Sequence, residues 1–184
     1  MLLQYETRRL ILKIIGPDYA NNVLKFYLND KELFEKYETD RSPNFYSEGH
    51  QHNILQVEYG LALKMQQIRF YVFLKDKPDQ IIGTICLYDV SSIYSRAEVG
   101  YKFSSKYHHK GYASEAVEKL MDIAFIELNL HRITAHVQEE NSPSIRLLEG
   151  LGFEKEGICR DYLYLHGTWR NHIQYSLLSP ANTL

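Results

Sequence analysis

Tyr101 to Ala116 reads YKFSSKYHHKGYASEA, and its character changes at Gly111. Before the glycine stand lysines, serines and a histidine pair. After it, Ala113, Ala116, Val117, Leu120, Met121, Ala124 and Leu128 recur at threes and fours, the period of an amphipathic helix. Just upstream, in AEVGYKF, Val99, Tyr101 and Phe103 alternate with Glu98, Gly100 and Lys102, the period of a strand. The stretch therefore joins a strand to a helix through a basic loop, with a glycine at the helix mouth.

Working outward, Arg8 to Ile15 reads as a first strand, closed by GPD, which offers a proline-led helix start from about Pro17 to Leu28. Ser47 is placed to cap a longer helix through about Gln67, with Ile54, Leu55, Leu61 and Met65 near one face. Arg69 to Lys75 and Ile81 to Tyr88 are β-rich and separated by DKPDQ, a hairpin connection. Beyond the central helix, RITAHVQ alternates as a strand with Ile133, Ala135 and Val137 on one side. NSPSIRLLEGLGF reads as a capped helix, with Pro143 tolerated in its first turn. Glu156 to Leu165 and Trp169 to Leu178 form two β-rich arms around HG. No internal repeat interrupts this order, which predicts an α/β or α+β domain with helices packed on a central sheet.

A chain of 184 residues suits one domain, 1–184. With 45% hydrophobic and 24% charged residues it matches soluble globular averages, and its apolar runs are too short to span a membrane. A formal charge of −2 supplies no overall field for a nucleic acid backbone. Cys86 and Cys159 lack the spacing of a zinc site or the density of a disulfide scaffold, which predicts a reducing, cytoplasmic setting. TRRLILKIIG imitates the start of an export signal, but Lys13 interrupts its apolar run and GPD ends it, so a strand is the better reading.

A helix N-terminus leaves backbone N–H groups unsatisfied and carries partial positive charge, so it suits an anion. Gly111 offers no side chain to keep an anion away, and Lys102, Lys106, Lys110, His108 and His109 surround it with no acid before Glu115. A tight turn beside a solvated lysine surface accounts for the same residues. The loop lacks the second glycine and the Lys-Ser/Thr of a nucleotide P-loop, and adjacent histidines diverge too much to share a metal. Pyrophosphate-bearing cofactors remain.

HHKGYASEA resembles the pyrophosphate loop of the GNAT family of N-acetyltransferases, whose pattern is Gln or Arg, two residues, Gly, one residue, then Gly or Ala. His108 takes the first position, Gly111 the fourth and Ala113 the sixth, so the departure is at His108. ETRRLILK, IIGTICLYDV, AEVGYKF and NSPSIRLLEGLGFEKEG are similar, in order, to segments of the RimJ/RimL-like branch, and the likeness runs from about Glu6 to Leu177. The resemblance implies a GNAT-like fold: a central mixed, mostly antiparallel sheet of about seven strands flanked by helices. It implies acetyl-CoA as donor, with CoA as product and no metal, and a primary amine as acceptor. That amine would belong to a ribosomal or other peptide N-terminus, or to a small molecule. Homo-oligomers are left open.

By the same resemblance, the strand backbone at Tyr101 and Phe103 would hold the pantetheine arm. The pyrophosphate would meet the loop at His108 and the amides of His109, Lys110, Gly111, Tyr112, Ala113 and Ser114. Asn141 would bond the pantetheine, and Ser144 would hydrogen bond or protonate the leaving sulfur. The tyrosine that many members place on this last helix is Leu148 here, so that role does not transfer. An α-amino group titrates at about 8 and a lysine amine at about 10.4, so an acceptor needs a base. Glu98, where the branch has its proposed base, is the expected one, directly or through water.

Each residue also has a plainer reading: Glu98 as an exposed strand carboxylate, Asn141 or Ser142 as a cap, Ser144 as a first-turn residue. A covalent route through Cys86 or Cys159 lacks a cue for thiolate activation, which favours direct transfer in a ternary complex. Between Asn29 and Glu48 six acids face three bases, a weak attraction for a cationic acceptor. Tyr162, Tyr164 and Trp169 either line an acceptor groove or pack the last strands. The rival to an enzyme is a CoA-binding or ribosome-associated module that kept the fold without catalysis.

Overall fold

Eight strands form one sheet in a computed structural model that describes residues 1–180, with alternating burial clearest in β2 and β6 and a nearly continuous buried run in β3. They are β1 (Gln4–Glu6), β2 (Leu10–Lys13), β3 (Ile68–Leu74), β4 (Lys77–Ser91), β5 (Arg96–Phe103), β6 (Arg132–Gln138), β7 (Glu154–Leu165) and β8 (Thr168–Leu178), in the order β1-β2-β3-β4-β5-β6-β8-β7. Every neighbouring pair is antiparallel except β5 and β6. A parallel pair needs a crossover, and the central amphipathic helix supplies it.

That helix, α4 (Tyr112–Asp122), buries Ala116, Val117, Leu120 and Met121, as its spacing predicts, and ends in a widened π turn over Ile123–Glu127. Together with α5 (Ser142–Gly150) it covers the sheet face carrying Val72, Val99, Ile133, Ala135 and Val137. The opposite face carries Tyr71 and Phe73 and is covered by α1 (Ala20–Asn29), α2 (Lys31–Glu35) and α3 (Glu48–Leu63). Each fully buried Leu, Ile or Phe contributes roughly 1.5–3 kcal/mol, so these two cores hold the sheet between its helix layers. None of the described helices is long and apolar enough to cross a membrane.

Four expectations need adjustment. The sheet gains a strand because Gln4–Glu6 pairs with β2; with only Tyr5 buried, it shows little hydrophobic signal. The β3–β4 turn is confined to Lys75 and Asp76, and Pro78 lies within β4 where the register shifts, so its missing N–H costs no ladder bond. Helix α3 stops at Leu63, and Met65 takes a left-handed φ of 56° before β3 begins. Its buried residues are Gln51, Leu55 and Ala62, while Met65 is exposed.

Candidate active site

The parallel pairing of β5 with β6 lasts three rungs, Arg96 with Arg132, Ala97 with Ile133 and Glu98 with Thr134. Beyond Glu98 the strands part: β5 continues against β4 alone and β6 against β8 alone. The gap opens a cleft of about 480 Å³ lined by Val99–Phe103 on one side and Ala135–Gln138 on the other. The parted strand edges leave backbone groups of β5 facing the cleft without a ladder partner.

Two helix N-termini meet this cleft, bringing His108, His109 and Ala113 of the loop and α4, and Asn141 and Ser144 of α5, to its lining. Gly111 is the N-cap of α4, with a left-handed φ of 74° and no side-chain cap. The first helical bond runs from Glu115 N to Gly111 O, so the amides of Tyr112, Ala113 and Ser114 precede it and have no partner along the helix. His109 is also left-handed, with φ 58°, which turns the loop sharply around these amides. The arrangement fits the phosphate groups of a CoA ester by the chemistry of its donors.

The loop is held from behind. Glu115 Oε1 accepts from Thr7 Oγ1 at 2.6 Å and Arg9 N at 2.7 Å, and its Oε2 accepts from Arg9 Nε at 2.6 Å. Arg9 Nη1 donates to Lys110 O at 2.8 Å, and its guanidinium lies 4.5 Å from the Tyr112 ring centroid. Burial opposes the charge of Glu115, but these bonds outweigh it and hold the carboxyl below the usual carboxylate range. Asp30 accepts from Ser105 N at 3.1 Å and from the Ser104 hydroxyl, fixing the loop's start.

The positive surroundings are thinner than the lysine count suggests. Lys102 is ion-paired with Glu38, which also pairs with Arg41, and Lys110 Nζ folds back to Lys106 O at 2.9 Å. His108 Nε2 lies 2.9 Å from Phe103 O, a bond in which the ring must donate, so Nδ1 is the nitrogen left to face an anion. The Phe103 side chain is buried, packed where a Cβ on Gly83 would sit 2.4 Å from its ring, so only its backbone is available to a ligand. Three of the six early acids are spent too: Glu35 accepts from Tyr46, Glu38 from two cations and Asp30 from two serines.

On α5, Asn141 is the N-cap, its Oδ1 accepting from Ser144 N at 3.4 Å. The Ser144 carbonyl accepts from Tyr101 OH at 3.2 Å, while the Ser144 hydroxyl makes no hydrogen bond among the described residues. Burial pushes the Tyr101 phenol above its ordinary value, partly offset by that bond, so it stays protonated. Leu148 is buried at the cleft's base and offers no proton.

Glu98 stands at the vertex, 31% exposed, with Oε2 3.1 Å from Nδ1 of His136, which is 11% exposed and lines the cleft. Sequence reasoning did not single out His136, Gln174 or His172, and a local signal existed for His136 alone. Thr134, His136 and Gln138 are the polar half of the RITAHVQ alternation and share a face with Glu98. His136 Nε2 lies 3.2 Å from Gln174 Oε1, and the ring stacks on Tyr162 at 4.4 Å and 17°. Tyr162 thus joins the site, whereas Tyr164 and Trp169 pack on each other and remain exposed. Burial pushes the buried Cys86 thiol up to about 12. No cluster of three or more metal-ligating side chains occurs among the described residues.

The chain matches the model of the Acetyltransferase (GNAT) domain over residues 9–154. It is 39% identical to the uncharacterized N-acetyltransferase p20 of Bacillus licheniformis, over 94% of both chains. Among solved structures, the ribosomal-protein-S5-alanine acetyltransferase of Vibrio fischeri is 28% identical, with a TM-score of 0.90 over 97% of this chain and 98% of that one. RimJ of Mycobacterium smegmatis, solved in complex with CoA-disulfide, shares the fold at 24% identity, with a TM-score of 0.87 over 95% of this chain and 84% of that one.

Proposed function

The chain belongs to the GNAT family and is an acetyl-CoA-dependent N-acetyltransferase of RimJ/RimL type, and from that premise we propose how its residues divide the work. The observation that carries the reading is the parting of β5 and β6 at Glu98, which opens a cleft between two exposed helix N-termini. Acetyl-CoA supplies an acetyl group already activated as a thioester. The backbone of Tyr101 to Phe103 lies along the pantetheine arm, Asn141 bonds it from the other side, and the amides from His109 to Ser114 receive the pyrophosphate, with His108 beside them.

On the opposite face of the sheet, the acceptor enters over β6 and the β7–β8 arm. Glu98 takes a proton from the amine, and holding the neutral amine beside the thioester removes much of the entropic barrier. Ser144, its hydroxyl uncommitted, hydrogen bonds the departing sulfur. Direct transfer in a ternary complex is favoured over a covalent route, because a thiol pushed up to about 12 at Cys86 is a poor nucleophile. The acceptor is a primary amine, with a peptide N-terminus first in line because the Vibrio fischeri relative is named for a ribosomal protein alanine. We read the chain as one domain working in the cytoplasm.

Thiol release from acetyl-CoA across a panel of free α-amino peptides, ribosomal protein N-termini and small amines tests this reading. Turnover with at least one acceptor is expected. CoA binding without turnover on any acceptor would return the chain to a non-catalytic module of the same fold.

A further inference from the structure

His136 is held in a way that bears on the base, and this rests on Glu98 having that role. Glu156 accepts from Arg132, from Ser176 Oγ at 2.8 Å and from Gln174 Nε2 at 2.6 Å. These bonds hold its carboxyl down at about 2, so it is ionised and can only accept. The Gln174 amide must therefore turn its NH2 to Glu156 and its oxygen to His136, and Cys159 Sγ, at 3.6 Å, donates to that same oxygen. It follows that His136 Nε2 carries a hydrogen. In the neutral ring Nδ1 is then a bare lone pair facing the Glu98 carboxylate at 3.1 Å.

Two acceptors at that distance repel unless a proton lies with one of them. Nδ1 is buried, and no group aligns a hydrogen bond to it among the described residues; the Glu98 carboxylate at 3.1 Å is close but needs a small turn to align, and no other group competes for that proton. Stacking on Tyr162 fixes the ring plane, and its neighbours are few. Besides Glu98 on β5, they are Gln174 and His172 on β8 and Tyr162 on β7; Glu156 and Cys159 on β7 are reached through Gln174 and Arg132 on β6 through Glu156, while Asp89 acts on Tyr162 and Glu140 on His172. Burial, with the nearby charge of His136, holds His172 below the ordinary imidazole value, so it adds no competing cation at neutral pH.

The geometry points to a proton-holding pair: Glu98 and His136 together take the amine's proton, and Gln174 is a positioning residue that fixes which ring nitrogen is free to share it. The ammonium of the acceptor gives one proton to the unprotonated pair. The nitrogen then bonds the acetyl carbon as the carbon–sulfur bond breaks, and its second proton ends on the sulfur as CoA thiol. The pair releases its proton to water. One proton is liberated per turnover, and the pair must be unprotonated to start. The kcat profile should therefore rise with pH through the pair's apparent value, which lies above the ordinary imidazole 6.5. Burial lowers His136, but the Glu98 carboxylate close beside it and the contact with Gln174 outweigh it.

Two readouts on the full chain test the pair: ring-nitrogen NMR across neutral pH, and kcat against pH with acetyl-CoA and a peptide bearing a free α-amino group. Neutral His136 should show the Nε2–H tautomer, titrating above 6.5 in the wild type and lower in Glu98→Gln. Gln174→Met should let the Nδ1–H tautomer appear. His136→Asn should move the acid limb of kcat to lower pH, because the ring's share of the proton is gone. An Nδ1–H tautomer in the wild type, or His136 titration indifferent to Glu98→Gln, would overturn the pair. If Glu98→Gln lowers kcat while His136→Asn leaves the acid limb in place, the pair fails alone and Glu98 remains the base. If Glu98→Gln leaves kcat intact, Glu98 is not the base and the pair falls with it.

Discussion

Glu98 pairs with Thr134 in the last parallel rung between β5 and β6, and the cleft begins where that rung ends. The carboxylate is placed by backbone register, not by a flexible loop, so changing its chemistry should leave the cleft's shape alone. Glu98→Gln is expected to lower kcat by about 10²–10⁴-fold, the range for loss of a general base. CoA affinity by calorimetry should be unchanged. A loss confined to CoA affinity would make Glu98 a structural carboxylate.

Gly111 gives the second prediction. A Cβ there would lie 3.3 Å from Arg9 Nη2, and φ is 74°. Arg9 is the end of a flexible side chain and can yield, but the left-handed backbone costs a non-glycine residue about 1–2 kcal/mol. Gly111→Ala should lower stability by that amount in urea titration. It should also weaken CoA binding, because the methyl pushes on Arg9 behind the loop and strains the left-handed turn that sets the direction of the free amides. Unchanged CoA affinity would remove the loop from the binding site.

The clamp between Arg9 and Glu115 should show itself in acid. Glu115 titrates lower in the folded chain than its ordinary 4.5, so its stabilisation is present above the unfolded value and is lost as pH falls through the folded one. Glu115→Gln should therefore be less stable than wild type near neutral pH, and the gap in urea midpoints should close as pH drops below 4.5. A gap that stays constant with pH would mean that shape, not charge, holds the loop.

Much of this was legible because two periods dominate the chain. The strand alternation of AEVGYKF and the helical spacing from Ala113 onward both appear as read, and Gly111 sits between them as the cap. Gln4–Glu6 escaped because only Tyr5 is buried, so register with β2, not hydrophobicity, makes it a strand. The His136–Gln174–Glu156 chain escaped for a different reason. It joins β6, β8 and β7, and no local spacing tells which polar residues of three strands share a face. The lysines misled in the same way: Lys102 looked free beside the loop until the fold brought Glu38 to it.

Asn141 and Ser144 share the first turn of α5, and their plain and chemical roles separate by substitution. Asn141 caps the helix through Ser144 N, so Asn141→Ala should cost about 1 kcal/mol of stability, the usual value of a cap, whatever it does to CoA. The Ser144 hydroxyl makes no hydrogen bond among the described residues, and the cap uses its backbone. Ser144→Ala should therefore leave the urea midpoint nearly unmoved while lowering kcat, since the departing sulfur loses its donor. The fall should be smaller with an acyl donor whose leaving thiol has a lower pKa, because a better leaving group needs less help. If Ser144→Ala slows both donors equally, the hydroxyl positions the ligand and does not assist the sulfur.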